Sequence, residues 1–275
     1  MNPCLRTALL LLLIAVPTQA GEEPQKVRRV VVALHDSRGM QYELDSEDPI
    51  HQLLEMPLNH LGMVVRRHDI RSGPPPEEWL EGARAILTCF LNTDHPPAWL
   101  WPWLEKHGSA KGVRIIHFGD FGPLRFGNDN RVDHVRITSW LARFGLEWDA
   151  GFRSGPMGIR IEALDKQRIA FESNPRRYAT HIGPRNRDTD NRVWLRTVPV
   201  DSPDDLRTPV VTGPWGGIAL APWTARGGGV NEGRRWHLDP FAFLREALAL
   251  EGVPAPHPAM LNGRRMFVLH VDGDG

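Results

Sequence analysis

The residues best suited to chemistry stand at positions 272–275, where the apolar run Met266-Phe267-Val268-Leu269-His270-Val271 delivers Asp272-Gly273-Asp274-Gly275. Two carboxylates spaced by one glycine at a strand end suit hydrolysis. One can bind a divalent cation while the other acts as a base toward metal-bound water, provided histidines supply the remaining ligands. An EF-hand calcium loop contains the same motif, but it requires an oxygen ligand where His270 stands and a downstream glutamate. A surface turn is the plain reading of Asp-Gly pairs and stays open at this point.

Other polar groups cluster after apolar runs nearer the beginning of the chain: His35-Asp36-Ser37-Arg38-Gly39, Asn92-Thr93-Asp94-His95 and Gly119-Asp120-Phe121-Gly122. On the carboxyl edge of a parallel sheet these loops would share one rim, with His35, Asp36, Asp94 and Asp120 as candidates for a hydrolase. Water-facing loops are polar without any function, so the same residues also fit a solvated edge. No Gly-x-Gly-x-x-Gly and no phosphate-cradling Gly-x-x-x-x-Gly-Lys-Ser/Thr occurs, which disfavours a nucleotide cofactor. Cys89 lies between Thr88 and Phe90 in an apolar run, without the small neighbours of a nucleophile elbow, and reads as a buried thiol. The twelve histidines include no His-Glu-x-x-His and no His-x-x-x-His pair, so local spacing assembles no zinc site.

The elements that must position these groups alternate. Strands are expected at residues 27–34, 63–67, 85–91 and 112–118, with helical spacing in Ile50, Leu53, Leu54, Pro57, Leu58 and Leu61 and a Trp-rich helix over 97–106. Parallel neighbours require crossovers, so this order predicts an α/β fold, a flavodoxin-like or Rossmann-like parallel sheet, over residues 21–145. Residues 146–235 alternate polar and apolar in short runs broken by turns and read as a β-rich antiparallel segment. Residues 236–275 read as a helix opened by Asp239-Pro240 and a strand leading to the aspartates.

Composition narrows the function. The chain has 275 residues, 41% of them hydrophobic and 24% charged, enough for a sizeable core. Its 33 basic and 33 acidic residues cancel, which argues against a nucleic-acid binder. Arg6, the apolar run Ala8 to Val16, Pro17 and Thr18-Gln19-Ala20 form a secretory signal peptide over residues 1–20, cleaved after Ala20. The apolar run is well short of the ~20 residues that span a bilayer, so no stable membrane span is expected after cleavage. Cys4 leaves with the signal, and Cys89 is then alone. The expected location is periplasmic or extracellular.

The stretch from Trp236 to Leu248, followed by Asn262 to Gly275, resembles the entry into the polysaccharide deacetylase domain of Pel-type exopolysaccharide-processing proteins. The likeness is specific over roughly the last sixty residues. It implies an exported chain, an α/β region ahead of the deacetylase domain, and a strand that opens a distorted (β/α) barrel. It further implies Asp274 as a metal ligand and Asp272 as the catalytic base in metal-dependent N-deacetylation of a polysaccharide, the partner. The family motif has adjacent aspartates, so which of the two takes which role stays open. The family's histidine pair lies downstream of this motif and has no substitute here. A divalent, zinc-like metal is therefore expected only with that downstream domain, and this chain alone is expected to be a truncated, inactive form. A non-catalytic carbohydrate-binding or scaffold protein of the envelope is the alternative, suggested by Trp99, Trp101, Trp103, Trp215, Trp223 and Trp236.

The signal-peptide reading makes a direct prediction. The natural exported protein begins at Gly21, as checked by N-terminal sequencing and intact mass; a product retaining Arg6 and Cys4 would refute it.

Overall fold

Strand β1 (Val30–His35) shows how the sheet is built. Its β-branched and aliphatic residues alternate, so that Val31 and Ala33 enter one apolar core while Val32 and Leu34 enter the other. The same division runs through β3 (Ala83–Phe90) and β4 (Arg114–Gly119), whereas β2 (Val64–Asp69), at the sheet edge, packs only Val65 against the first core. In β3, Leu87 and Cys89 face the first core and Ile86 and Phe90 the second. These assignments come from a computed structural model that describes residues 27–38, 48–90, 96–108, 112–119, 134–149, 153–154, 158–175, 180–181, 183–226 and 235–255.

Beyond residue 146 the chain adds β5 (Ile159–Leu164), β6 (Arg192–Pro199), β7 (Arg207–Gly213) and β8 (Gly216–Leu220). All eight strands form one sheet, in the order β2-β1-β3-β4-β8-β7-β6-β5. Pairing is parallel from β2 through β8 and antiparallel from β8 to β5. The expected antiparallel segment is thus a meander whose last strand docks in parallel beside β4, extending the first sheet.

Four α-helices cover the two faces among the described residues: α1 (Met56–His60), α2 (Leu100–His107), α3 (His134–Ala142) and α4 (Pro240–Ala247). Residues of α1 and α4 join the first core, and those of α2 and α3 the second. The expected helix around Leu53 is irregular: residues His51–Glu55 form a π-helical turn that runs into α1. Pro57 has no N–H with which to close an α-turn on Leu53, which accounts for the wider turn ahead of it. At α4, Asp239 accepts hydrogen bonds from the backbone N–H groups of Phe241 (2.9 Å) and Ala242 (3.0 Å), the N-cap expected from its position. Arg84 donates from Nε to the Leu248 carbonyl (2.6 Å) and Arg114 from Nη1 to that of Ala247 (3.3 Å), placing cations at the helix's negative end. No described helix is long and apolar enough to cross a membrane.

The β4–β8 seam is tight. Gly216 has φ +140°, and a Cβ built on it would lie 1.8 Å from the Ile115 carbonyl oxygen. A Cβ on Gly217 would meet Phe243 of α4 at 3.0 Å. Gly216→Ala is expected to destabilise the fold by about 3 kcal/mol or more, because both the backbone angle and the space oppose a side chain. Urea unfolding of the purified protein checks this; a loss below about 1 kcal/mol would show that the seam yields.

Candidate functional site

Strand order makes one crevice. From β1 the chain crosses to β2 on one side and then to β3 on the other, so the connections diverge at the carboxyl ends of β1 and β3. Open α/β sheets bind ligands at such a point. His35 closes β1 there and Asp36 and Ser37 follow, while Asp69, the last residue of β2, pairs in register with His35. Of the rim candidates, His35 and Asp36 are thus placed at the crevice, and Asp94 and Asp120 lie outside the described residues. Asp272 and Asp274 also lie outside them.

The carboxylates of this rim are committed to partners. Asp36 takes a two-pronged bond from Arg71, through Nε at 2.6 Å and through Nη2, and accepts from the Arg38 N–H at 3.0 Å. Asp69 accepts from the Ser37 hydroxyl (2.6 Å) and from the N–H groups of Ser37 and Arg71 (each 3.1 Å). Burial alone would raise the Asp69 pKa, but the Ser37 hydroxyl and the two N–H donors outweigh it and hold the carboxyl below its usual value. Asp48 accepts from the Ile50 N–H at 2.8 Å and from Arg67 at 2.9 Å. These bonds stitch the end of β1 to β2 and the approach to α1.

His35 is the exception. Its side chain is 13% exposed and its Nδ1 stands 3.6 Å from Asp48 Oδ1, beyond hydrogen-bond reach. That Nδ1 is buried and has no hydrogen-bond partner among the described residues. An imidazole facing a carboxylate can pass a proton, and such contacts often tighten only when a substrate binds. No described nucleophile accompanies it: the Ser37 hydroxyl donates to Asp69, and Cys89 is buried in the core.

His117 and several of the tryptophans serve the cores. His117 is fully enclosed; the Trp140 indole donates to its Nε2 at 2.9 Å, which leaves the proton on Nδ1, donated to Thr88 Oγ1 at 2.8 Å. Of the tryptophans considered for sugar stacking, Trp101, Trp103 and Trp223 are buried. Trp99 meets Trp103 edge-on, Trp215 stacks on Phe144 at 4.6 Å, and Trp236 packs against Phe118. Trp101, Trp103 and Trp223 fill cores, whereas Trp99, Trp215 and Trp236 are half-buried. Among the described residues no group of three His, Cys, Asp or Glu side chains gathers to hold a metal.

A second ionic assembly lies in the β-rich segment, where the polar run of residues 183–191 shows no strand periodicity. Residues Arg185–Asn186 instead pair as a short ribbon with Leu146–Glu147. Arg207, its side chain 1% exposed, holds both oxygens of Asp149 (2.7 and 2.6 Å) and one of Asp205 (2.8 Å). Arg185 reaches Glu147 (2.9 Å), Asp205 (2.7 Å) and Asp149 (3.2 Å), and Arg187 donates to Glu147 at 2.7 Å. Burial lowers the Arg185 and Arg207 pKa values, but bonds to these carboxylates outweigh it and raise them above the ordinary value. Charges separated by up to 58 residues in sequence meet here, a pattern that local spacing does not display.

No protein family, curated protein or solved structure matches this chain in the three comparisons made.

His117 generates a pH prediction. Burial pushes its pKa down from 6.5 to about 3, so the native state binds its proton only well below the pH at which the unfolded chain does. Its contribution is complete above about pH 6.5 and is lost as pH falls toward 3, at up to ~1.4 kcal/mol per pH unit. Urea unfolding between pH 7 and pH 5 is expected to show this slope in the wild type and a shallower one in His117→Gln. Equal slopes would mean that His117 is not the group responsible.

Proposed function

We propose that this chain is the exported α/β region of a polysaccharide deacetylase-like protein, carrying at its end the first strand of the metal-dependent catalytic domain. The observation that carries the reading is the order of features from Trp236 onward: an Asp-capped helix, the Asn262-Gly263-Arg264-Arg265 turn, an apolar run and Asp272-Gly273-Asp274-Gly275. The Asp239 cap and α4 are consistent with that order. The strand order 2-1-3-4, with a fifth parallel strand beside β4, supports a flavodoxin-like reading of the region ahead of it.

In this proposal Asp274 supplies one carboxylate to a divalent metal and Asp272 is the base, the polysaccharide being an N-acetylated polymer of the envelope or extracellular matrix. Neither aspartate lies within the described residues, so no geometry is assigned to them. The histidine pair that such a metal needs is absent from the twelve histidines of this sequence. Two carboxylates without imidazole partners hold a divalent ion weakly, so the described α/β region serves as a support for the catalytic domain.

Acetate release from an N-acetylhexosamine oligomer, measured with added zinc, tests the proposal. The 275-residue chain is expected to give none above the metal-only control. A natural product that continues into a downstream histidine pair is expected to release acetate and to lose at least a hundredfold in rate with Asp274→Asn. Turnover by the shorter chain, or full activity of that variant, would overturn it.

A further inference from the structure

The arginine assembly around Arg185 leaves part of its donor capacity unused, and that part faces a cleft. Arg185, Arg187, Arg196, Asp204 and Thr208 line a space of about 280 Å³. This is near the lower end of the ~300–1,000 Å³ found for small-molecule sites and suits a single small unit. Arg196, an exposed residue of β6, makes no hydrogen bond, ion pair or ring contact among the described residues. Arg187, its side chain 62% exposed, uses Nε on Glu147, and its two terminal amino groups have no partner among the described residues. The Thr208 hydroxyl, on a residue only 3% exposed, has none there either.

Fixed scaffolding and free donors therefore meet in one concavity. Glu147 and Asp205 hold Arg185, and Glu147 holds the base of the Arg187 guanidinium, so these forks are oriented before any ligand arrives. Planar forks of this kind bind oxyanions side-on through paired N–H donors. The charge balance selects the anion. Glu147, Asp149 and Asp205 offset the charge of Arg185, Arg187 and Arg207, and Asp204 lines the same cleft as Arg196. Little surplus positive charge remains for a dianion such as phosphate, whereas a singly charged planar group needs only the free donors.

We propose that this cleft binds a carboxylate group, carried either by a free small acid or by a uronate unit of an acidic saccharide, with Arg196, the outer amino groups of Arg187 and the Thr208 hydroxyl as its donors. The site is independent of Asp272 and Asp274, and of the deacetylase reading.

Titration calorimetry of the signal-free chain at low salt tests it with four probes: lactate, an oligogalacturonate, the carboxyl-reduced form of that oligomer, and inorganic phosphate. At least one carboxylate probe is expected to bind, with the reduced oligomer and phosphate at least tenfold weaker. Arg196→Gln, an exposed change that breaks no described contact, is expected to raise the Kd at least tenfold, and Thr208→Val severalfold, with thermal unfolding reporting that each variant is folded. Binding of lactate alone would assign the free acid as the ligand, and binding of the oligomer alone the uronate unit. Equal binding of the reduced oligomer, tighter binding of phosphate, no binding by either carboxylate, or an unchanged Kd in a folded Arg196→Gln would overturn the proposal.

Discussion

The parallel contact between β4 and β8 is the constraint on which the remaining architecture depends. It joins strands about a hundred residues apart and turns what would be two separate sheets into one, so each apolar core runs under both the parallel strands and the meander. The approach is as close as backbone allows: the Ile115 N–H donates to the Trp215 carbonyl at 2.9 Å, and the Ile115 carbonyl occupies the space that a side chain on residue 216 would fill. The adjoining Gly217 lets α4 settle on β8 with Phe243 against the strand. Arg84 and Arg114 then fasten the far end of α4 to β3 and β4. One glycine pair thereby sets the position of the helix from which the chain proceeds toward its final aspartates.

The first four strands were legible because each is a β-branched or aliphatic run bounded by polar or turn residues, and the observed ends fall within three residues of the expected ones. Helix α3 was not anticipated, although Ile137, Trp140, Leu141 and Phe144 repeat at helical spacing and are all buried. Val135, Ile137 and Thr138 give it a low intrinsic helix propensity, and packing on the sheet overrides that preference. The docking of β8 beside β4 leaves no local trace at all, because a strand's periodicity states which face is buried and not which neighbour it finds.

The candidate site was legible to the same degree and for the same reason. His35 and Asp36 were visible as polar residues ending an apolar run. Their partners were not, since Asp69 meets His35 only through the β1–β2 register and Arg71 reaches Asp36 from the turn beyond β2. The Arg207 assembly is the extreme case: Asp149, Gly183 and Asp205 converge on it from three separate segments. Ionic sites defined by tertiary convergence are carried by topology, and composition averages them into a neutral total.

Arginine side chains here divide into two kinds according to what accepts their protons. Those of Arg67, Arg71, Arg84, Arg114 and Arg207 point at carboxylates or helix-end carbonyls, and their geometry is fixed by the fold they help to hold. Removing one acceptor from such a pair leaves a charge with reduced solvation, which is why these pairs belong to stability more than to chemistry. A reactive or binding group must keep capacity in reserve. By that criterion the described rim offers His35 alone, facing Asp48 without a completed bond, while the cleft offers donors that neighbouring carboxylates orient but do not consume. The division follows from position in the sheet: the rim lies where β1 and β2 are bound to each other by their own side chains, and the cleft lies where residues of β6 and β7 meet the Arg185–Asn186 ribbon.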